Sequence, residues 1–343
     1  MTNKHLKVGI IGAGDIVKYR HAPGLAKIDD LSIVSVCNSS ITSAQKFANE
    51  WARDAKICEN PEDIIYSDCD IVWIGTPPYM HCELTCSALA AGKHVFCQSR
   101  MAMNVEEAEL MLKTAKKYPK LVTALCPPPM GLNVDQFMKS LLSESVIGRP
   151  HQIILHSSSK NYLDPSIPAH WRQKSEISGI NILRLGIYIE ILHRWFVKIT
   201  TVYAEENTIT PIRNGYSINI PDTVNLLCKF ENGLHSIFYL TGVAAHPKGD
   251  MLEIFGDKGT IEYIFKPERL MIGTMNDRSL KTVSIPTHLT KEWTVERDFI
   301  AAVRAPMLSS PQPDFQEGLA YMRVLQAAHK SILEKRMINV NHC

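Results

Sequence analysis

The residues best suited to proton transfer lie near the middle of the chain. A helix is predicted over about residues 179–197, and four spaced side chains share one of its faces: Asn181, Arg184, Tyr188 and Trp195. Tyrosine is a poor base at its usual pKa of about 10, but a neighbouring cation favours the phenolate and lowers that pKa. We therefore predict that Tyr188 exchanges a proton with a ligand, with Arg184 as its charge partner and ligand anchor. The alternative for Tyr188 is a half-buried aromatic residue with a structural role only.

His170 is the second candidate base, because an imidazole titrates near neutral pH. It stands directly before the pair Trp171-Arg172. The alternative for this lone histidine is a purely structural role.

A glycine turn near the N-terminus indicates a different chemistry. Residues 6–11 form a predicted buried strand, the turn follows at once, and a helix-compatible stretch comes next. In such a turn the backbone can approach phosphates closely, and the helix N-terminus offers N–H donors. The motif predicts pyrophosphate binding by Gly12, Gly14, Asp15 and Ile16. An ordinary strand-to-helix turn is the alternative, because Val17 occupies the third fingerprint position.

The elements that position these residues fall into two halves. Up to about residue 125, predicted strands (33–37, 71–75, 94–97, 122–126) alternate with predicted helices (42–54, 81–91, 105–118). Such alternation implies right-handed β-α-β units and a parallel sheet. The first half is thus predicted to be a Rossmann domain, residues 1–125, with a doubly wound parallel sheet.

The second half contains mostly strands. They are predicted at 152–157, 201–205, 223–230, 234–241, 251–255 and 260–265, and a second long helix is predicted at 314–335. Glycine-containing turns at 231–233 and 257–259 suggest hairpins. Residues 126–343 are therefore predicted to form an α+β domain with a mostly antiparallel, open sheet. The fold class of the whole chain is α/β.

Composition excludes several classes of partner. The 343 residues carry a net charge of +2, so nothing favours nucleic acid or a membrane surface, and no apolar run is long enough for a membrane span. The nine cysteines are scattered without a CxxC pair, so neither a disulfide framework nor a metal site is expected. The N-terminal residues show no signal-peptide pattern. A cytoplasmic protein is expected.

Several segments, taken in order, resemble one known family. They are Thr76-Pro77-Pro78 with His81, the strand at 91–97 (Ala-Gly-Lys-His-Val-Phe-Cys), Trp171-Arg172 before Ser178-Gly179, and the turn at 255–260. This set resembles the Gfo/Idh/MocA family, the glucose–fructose oxidoreductase and inositol dehydrogenase group, over nearly the whole chain. The resemblance implies NAD(H) or NADP(H) in the Rossmann domain. It also implies hydride transfer at a hydroxyl of a sugar, cyclitol or related compound, and a homodimer or homotetramer formed through the C-terminal sheet.

The resemblance also assigns further residues to the site. Those implied to contact the cofactor are Thr76, Pro77, His81, Gln98, Trp171 and Arg172, and those implied to contact the substrate are Arg100 and Asn181. It points the helix face of Tyr188 at the nicotinamide.

The acid and base positions differ from the family pattern. Most members read Glu-Lys-Pro with a catalytic lysine where this chain has Gln98-Ser99-Arg100, and they carry aspartate and histidine where it has Arg184 and Tyr188. An oxidoreductase with non-standard acid and base groups is the first interpretation. A redox-type glycosidase or lyase with tightly bound, recycled NAD is the second. A non-catalytic nucleotide-binding sensor is the third.

The end of the second strand bears on the choice of cofactor. NAD-preferring Rossmann domains place an acidic residue there to hold the ribose hydroxyls, whereas this chain has Asn38, Ser39 and Ser40. Without a carboxylate nothing repels a 2′-phosphate, and the serines can donate to it. The sequence therefore favours NADP or dual use over strict NAD.

Overall fold

The computed structural model of the chain describes residues 4–306 and 311–343. It forms two compact units, Met1–Pro127 with Thr294–Leu319, and Pro128–Trp293 with Ala320–Cys343. The sequence pattern contains no sign that the chain would return to the first unit at residue 294. The predicted domain boundary between residues 125 and 126 stays a prediction.

The first unit is built on a six-stranded sheet in the order β3-β2-β1-β4-β5-β6. All neighbouring strands are parallel. The strands are β1 (Leu6–Ile11), β2 (Leu31–Cys37), β3 (Lys56–Cys58), β4 (Ile71–Ile74), β5 (His94–Cys97) and β6 (Thr123–Leu125). This is the doubly wound Rossmann order, and the predicted fold of the first half is confirmed. β1 and β4 are apolar and almost wholly buried, as strands covered on both faces must be.

Helices connect these strands. A π-helical turn (Val17–His21) runs into α1 (Ala22–Leu25), and the others are α2 (Ile41–Trp51), α3 (Pro61–Ile65), α4 (His81–Ala90) and α5 (Val105–Lys117). The start of α5 shows why it begins where it does. Asn104 Oδ1 accepts the Glu107 N–H at 2.9 Å, acidic residues fill the first turn, and lysines fill the last.

The second unit is built on a nine-stranded sheet in the order β16-β15-β14-β13-β7-β12-β11-β8-β17. Its strands are β7 (Pro150–Ser158), β8 (Ile199–Asn207), β11 (Thr223–Phe230), β12 (His235–Thr241), β13 (Gly249–Gly256), β14 (Gly259–Phe265), β15 (Glu268–Thr274), β16 (Lys281–Val283) and β17 (Ile338–Asn339); β9 (Ile212–Arg213) and β10 (Tyr216–Ser217) pair separately. Only β7 and β12 pair in parallel. The mostly antiparallel sheet is therefore confirmed. Alternate residues of β11 and β12 are exposed, so one face of these strands is not covered within the unit.

The helix predicted over 179–197 is wrong in its first half. The structure has α6 (Asp135–Ser143), then a short α7 (Ser175–Ser178), and α8 begins only at Leu185 and ends at Trp195. Gly179 (φ 59°) and Leu183 (φ 46°) adopt left-handed backbone angles that a right-handed helix cannot contain. Asn181 therefore lies before the helix and does not share a helical face with Tyr188.

Two helices complete the chain, α9 (Val295–Arg304) and α10 (Phe315–Glu334). The second matches the helix predicted over 314–335. Among the described residues, no helix combines the length and apolar character that crossing a bilayer requires.

Candidate functional site

The glycine turn lies at the carboxyl end of β1, where parallel sheets bind their ligands. Gly12 has a φ of 88°, and a Cβ there would lie 2.6 Å from the Gly75 carbonyl carbon and the Thr76 nitrogen. Gly14 differs, because a Cβ at that position would meet no atom within 4 Å. Gly14 and Asp15 are exposed and Ile16 is half-buried. The absence of a side chain at Gly12 thus lets the glycine turn pack against the loop at Gly75 and Thr76. The space beside Gly14, by contrast, is open.

The loop after β4 offers a second polar group. Thr76 Oγ1 is buried and has no hydrogen-bond partner within the described part of the chain. A buried hydroxyl without a hydrogen bond destabilises the folded state unless a ligand supplies the missing partner. The open space beside Gly14 and the unpaired Thr76 hydroxyl are two features that a bound dinucleotide would use. Pro77, the next residue, is half-buried.

His81 holds two loops together. Its ring is fully buried; Nε2 lies 2.7 Å from the Thr76 carbonyl, and Nδ1 lies 3.0 and 3.1 Å from the Arg100 and Met101 carbonyls. Burial lowers the pKa of this imidazole. Both ring nitrogens thus face backbone carbonyls, and the direct contact of His81 with the cofactor stays a prediction.

The end of β2 contains no carboxylate at 38–40. Asn38 is half-buried, and Ser39 and Ser40 are exposed. The Ser40 hydroxyl caps α2, where it accepts the Ser43 N–H at 3.2 Å. The Ser40 hydroxyl is therefore already engaged, and the ribose contacts of Asn38, Ser39 and Ser40 stay predictions.

Gln98 lies in a buried polar cluster that sequence reasoning missed. Its Nε2 is 2.5 Å from His21 Nε2, and His21 Nδ1 is 2.5 Å from Glu296 Oε1. Because the amide donates to Nε2, the ring proton sits on Nδ1 and is donated to Glu296. Burial lowers the pKa of His21, in keeping with a neutral ring. A glutamate, the usual family residue at this position, could not make the same donation when ionised.

Aromatic rings surround this cluster. The His21 ring centroid lies 4.9 Å from that of Trp73 and 5.3 Å from that of Phe96. Gln98 is 6% exposed and its amide contacts His21 in the core of the unit, and its contact with the cofactor stays a prediction. No local signal could have revealed the cluster, because 275 residues separate His21 from Glu296.

In the second unit, four residues form a hydrogen-bonded series. Tyr188 Oη donates to Ser157 Oγ at 2.9 Å, and Ser157 donates to Asp250 Oδ1 at 2.7 Å. Arg184 Nη1 donates to Asp250 Oδ2 at 2.6 Å. Sequence reasoning named the two ends of the series and missed Ser157 and Asp250, which lie on β7 and β13.

The expectation that Arg184 makes Tyr188 acidic is wrong. Burial raises the pKa of the phenol, Asp250 raises it further, and Arg184 offsets only part of this. Tyr188 is fully buried, whereas the Arg184 side chain is 44% exposed and that of Asp250 is 11% exposed. The groups of the series that reach solvent are therefore Asp250 and Arg184.

The remaining predicted residues have defined surroundings. His170 is exposed and caps the turn Trp171–Gln173, with its Nδ1 accepting the Arg172 N–H at 3.1 Å. Asn181 is fully buried and donates from Nδ2 to the Ser178 carbonyl at 2.6 Å. Arg100, predicted to contact substrate, is only 4% exposed.

These features define an α/β protein with a nucleotide-type Rossmann unit and a mostly antiparallel second unit. The chain belongs to the Gfo/Idh/MocA family. The family model described as an oxidoreductase family with an NAD-binding Rossmann fold matches residues 6–125, and that of the GFO/IDH/MocA C-terminal domain matches residues 136–262.

Relatives with named activities match different shares of the chain. D-glucoside 3-dehydrogenase of Escherichia coli (strain K12) is 36% identical over 149 residues, 43% of this chain and 42% of that protein. Myo-inositol 2-dehydrogenase of Thermotoga maritima is 21% identical over 342 residues, 98% of each chain. The structure of levoglucosan dehydrogenase in complex with NADH superposes with a TM-score of 0.83 at 21% identity, covering 98% of this chain and 99% of that one. That likeness shows a shared fold.

Proposed function

We propose that the protein is an NAD(P)-dependent oxidoreductase that transfers hydride to or from a hydroxyl or carbonyl of a sugar, cyclitol or related small molecule. The observation that carries this proposal is the open space beside Gly14 at the carboxyl end of β1. The family supports it, since its N-terminal model is an NAD-binding oxidoreductase fold. When bound, the nicotinamide accepts or supplies the hydride.

The first unit holds the cofactor in this proposal. The Gly12–Ile16 turn contacts the pyrophosphate, Asn38 and Ser39 contact the adenosine ribose, and the Thr76 hydroxyl and Pro77 line the loop after β4. His81 positions that loop through the Thr76 carbonyl.

We assign the proton of the reacting hydroxyl to a carboxylate oxygen of Asp250. The Asp250 carboxylate reaches solvent, whereas the Tyr188 phenol is buried with a raised pKa. Ser157 and Tyr188 position Asp250 through their hydrogen bonds. Arg184 pairs with the carboxylate and is the substrate anchor. His170, whose Nδ1 is used as a cap, is the next base to test.

The function is tested by incubating the protein with NAD⁺ or NADP⁺ and a panel of sugars and cyclitols. Steady production of free reduced cofactor supports the oxidoreductase. Bond cleavage with a bound, recycled cofactor would instead support the redox glycosidase or lyase. Binding of cofactor without any turnover would support the sensor.

Replacing Gly14 by valine tests the cofactor turn. We expect Gly14→Val to weaken NAD(P) binding by about 100-fold, roughly 2.7 kcal/mol. The valine side chain would occupy the space that we assign to the pyrophosphate. The fold should persist, since nothing lies within 4 Å of a Cβ there. Calorimetric titration gives the affinity and thermal unfolding gives the control. Unchanged affinity in a folded variant would remove the pyrophosphate assignment.

The cofactor preference follows from the end of β2. We expect NADP to bind at least as tightly as NAD, because residues 38–40 carry no carboxylate to repel a 2′-phosphate. Titration of both cofactors under the same salt conditions measures the ratio. A preference for NAD of about 100-fold would contradict this reading of the strand end.

We further propose that the protein forms a homodimer or homotetramer through the uncovered face of β11 and β12. Leu227, Ile237 and Tyr239 on these strands are 49%, 40% and 40% exposed. Leu227 and Ile237 are paired across the two strands, and large apolar side chains grouped in this way favour association. Sedimentation velocity that shows only a 38.5 kDa species at micromolar concentration would contradict it.

A further inference from the structure

Arg172 is a half-buried cation that has no ion pair with any residue the structure describes. Its guanidinium packs over the ring of Trp171, 4.0 Å from the centroid. Within residues 4–306 and 311–343, no carboxylate pairs with this side chain, and its guanidinium makes no hydrogen bond. Burial lowers its pKa, which reports the cost of holding this charge away from water.

The turn that carries Arg172 is held in place. His170 Nδ1 accepts the Arg172 N–H at 3.1 Å, and Gln173 Oε1 accepts the His170 N–H at 3.2 Å. Gln173 is itself buried. The Trp171 ring occupies one flat face of the guanidinium, which leaves its planar N–H edges for an acceptor.

A second guanidinium lies nearby. The positive charge of Arg184 adds to the lowering of the Arg172 pKa, and the phenol of Tyr162 acts on both arginines. Arg184 already pairs with Asp250 at 2.6 Å. The group of two guanidiniums and one carboxylate therefore keeps an excess positive charge.

Tyr162, whose phenol acts electrostatically on both arginines, is also fixed. Arg213, a buried residue, donates from Nη1 to the Tyr162 carbonyl. A Cβ at Gly242 would lie 2.5 Å from the Tyr162 ring, so this glycine lets the ring pack closely. Contacts within the protein therefore hold Tyr162 in place without a bound ligand.

We propose that Arg172 and Arg184 bind the carboxylate or phosphate of an anionic sugar substrate. Guanidinium groups bind these anions in planar, two-pronged geometry, and charges withdrawn from water are normally paired. A neutral sugar would leave Arg172 unpaired. This inference rests on the proposed function and names the substrate class for it.

The phosphates of the cofactor are a second source of an anion for Arg172. The family resemblance assigned Arg172 to the cofactor. We favour the substrate because Arg172 and Arg184 share the second unit with Asp250, to which we assign the substrate proton. The two sources predict different losses when Arg172 is replaced.

The test measures binding to the cofactor-loaded protein by calorimetry, with D-glucuronate, D-glucose 6-phosphate and D-glucose as probes. The wild type is expected to bind at least one anionic sugar about 10- to 100-fold more tightly than glucose, as charge-assisted hydrogen bonds contribute on that scale. Arg172→Gln should lose most of this preference. Arg172→Lys keeps the positive charge but loses the planar two-pronged geometry of the guanidinium. This variant should retain part of the preference for the anionic sugar.

Lys174→Gln is the matched control, because it removes a cation two residues away that packs over Tyr216. It should keep the full preference, and thermal unfolding checks that all variants are folded. Equal binding of all three sugars by the wild type overturns the proposal. So does an Arg172→Gln variant that keeps the preference and loses NADPH affinity instead, since the anion is then the cofactor's.

These readouts need no turnover, so the two proposals fail separately. A selective but inactive protein contradicts the proposed function and leaves the anion site standing. An active enzyme that treats neutral and anionic sugars alike contradicts only the anion site.

Discussion

Asp250→Asn is expected to lower kcat by about 10²–10⁴-fold, the usual contribution of general acid–base catalysis. The amide keeps the size of the side chain and its contact with Arg184 but cannot take up the hydroxyl proton. The affinity for NAD(P) should stay at the wild-type value, because Asp250 belongs to the second unit and the proposed cofactor turn to the first. Steady-state kinetics on a proven substrate and cofactor titration measure the two quantities.

Tyr188→Phe is the comparison that separates Asp250 from the phenol. It removes one hydrogen bond to Ser157, which can still donate to Asp250, so the loss in kcat should be about tenfold or less. If Asp250→Asn stays within about threefold of the wild type, Asp250 is not the base. If kcat falls only in Tyr188→Phe, the Tyr188 phenol and not Asp250 is the group that transfers the proton.

Glu296→Ala is expected to destabilise the first unit by about 2–4 kcal/mol. The change removes the Glu296 acceptor of the buried His21 N–H, at a cost of about 1–3 kcal/mol, and deletes one buried methylene group worth about 0.8 kcal/mol. Denaturant unfolding followed by tryptophan fluorescence reports it directly, since Trp73 lies against His21.

Two matched variants accompany Glu296→Ala. Glu296→Gln keeps an oxygen acceptor for His21 and should retain most of the stability. Arg297→Ala changes the next residue of α9, whose side chain is 72% exposed, and should cost less than about 0.5 kcal/mol. Equal stability of Glu296→Ala and Arg297→Ala would show that the His21 contact contributes nothing.

The sequence predicted the fold well where the signal was local. Alternation of apolar strands with helices indicated the parallel sheet, and the strand 94–97 has the predicted bounds. The glycine turn was equally readable, because the requirement at Gly12 comes from its own backbone angle. These features depend on a few neighbouring residues.

The site was less predictable because its contacts are long-range. Helical periodicity placed Asn181 with Tyr188, but the backbone at Gly179 and Leu183 interrupts the helix. Spacing also suggested that Arg184 acidifies the phenol, whereas burial and Asp250 decide its pKa. Neither Asp250 nor Glu296 belongs to a motif, and each is brought to its partners only by the complete fold.

The return of residues 294–319 to the first unit affects how that unit forms during translation. Its sheet is finished by residue 127, yet Glu296 and Phe299, which pack against His21 and Trp73, are made about 170 residues later. At ribosomal speeds of about 5–20 residues per second, that delay is roughly 9–34 s. Until α9 is made, Trp73 and Phe96 lack the contacts that Phe299 gives them in the folded unit.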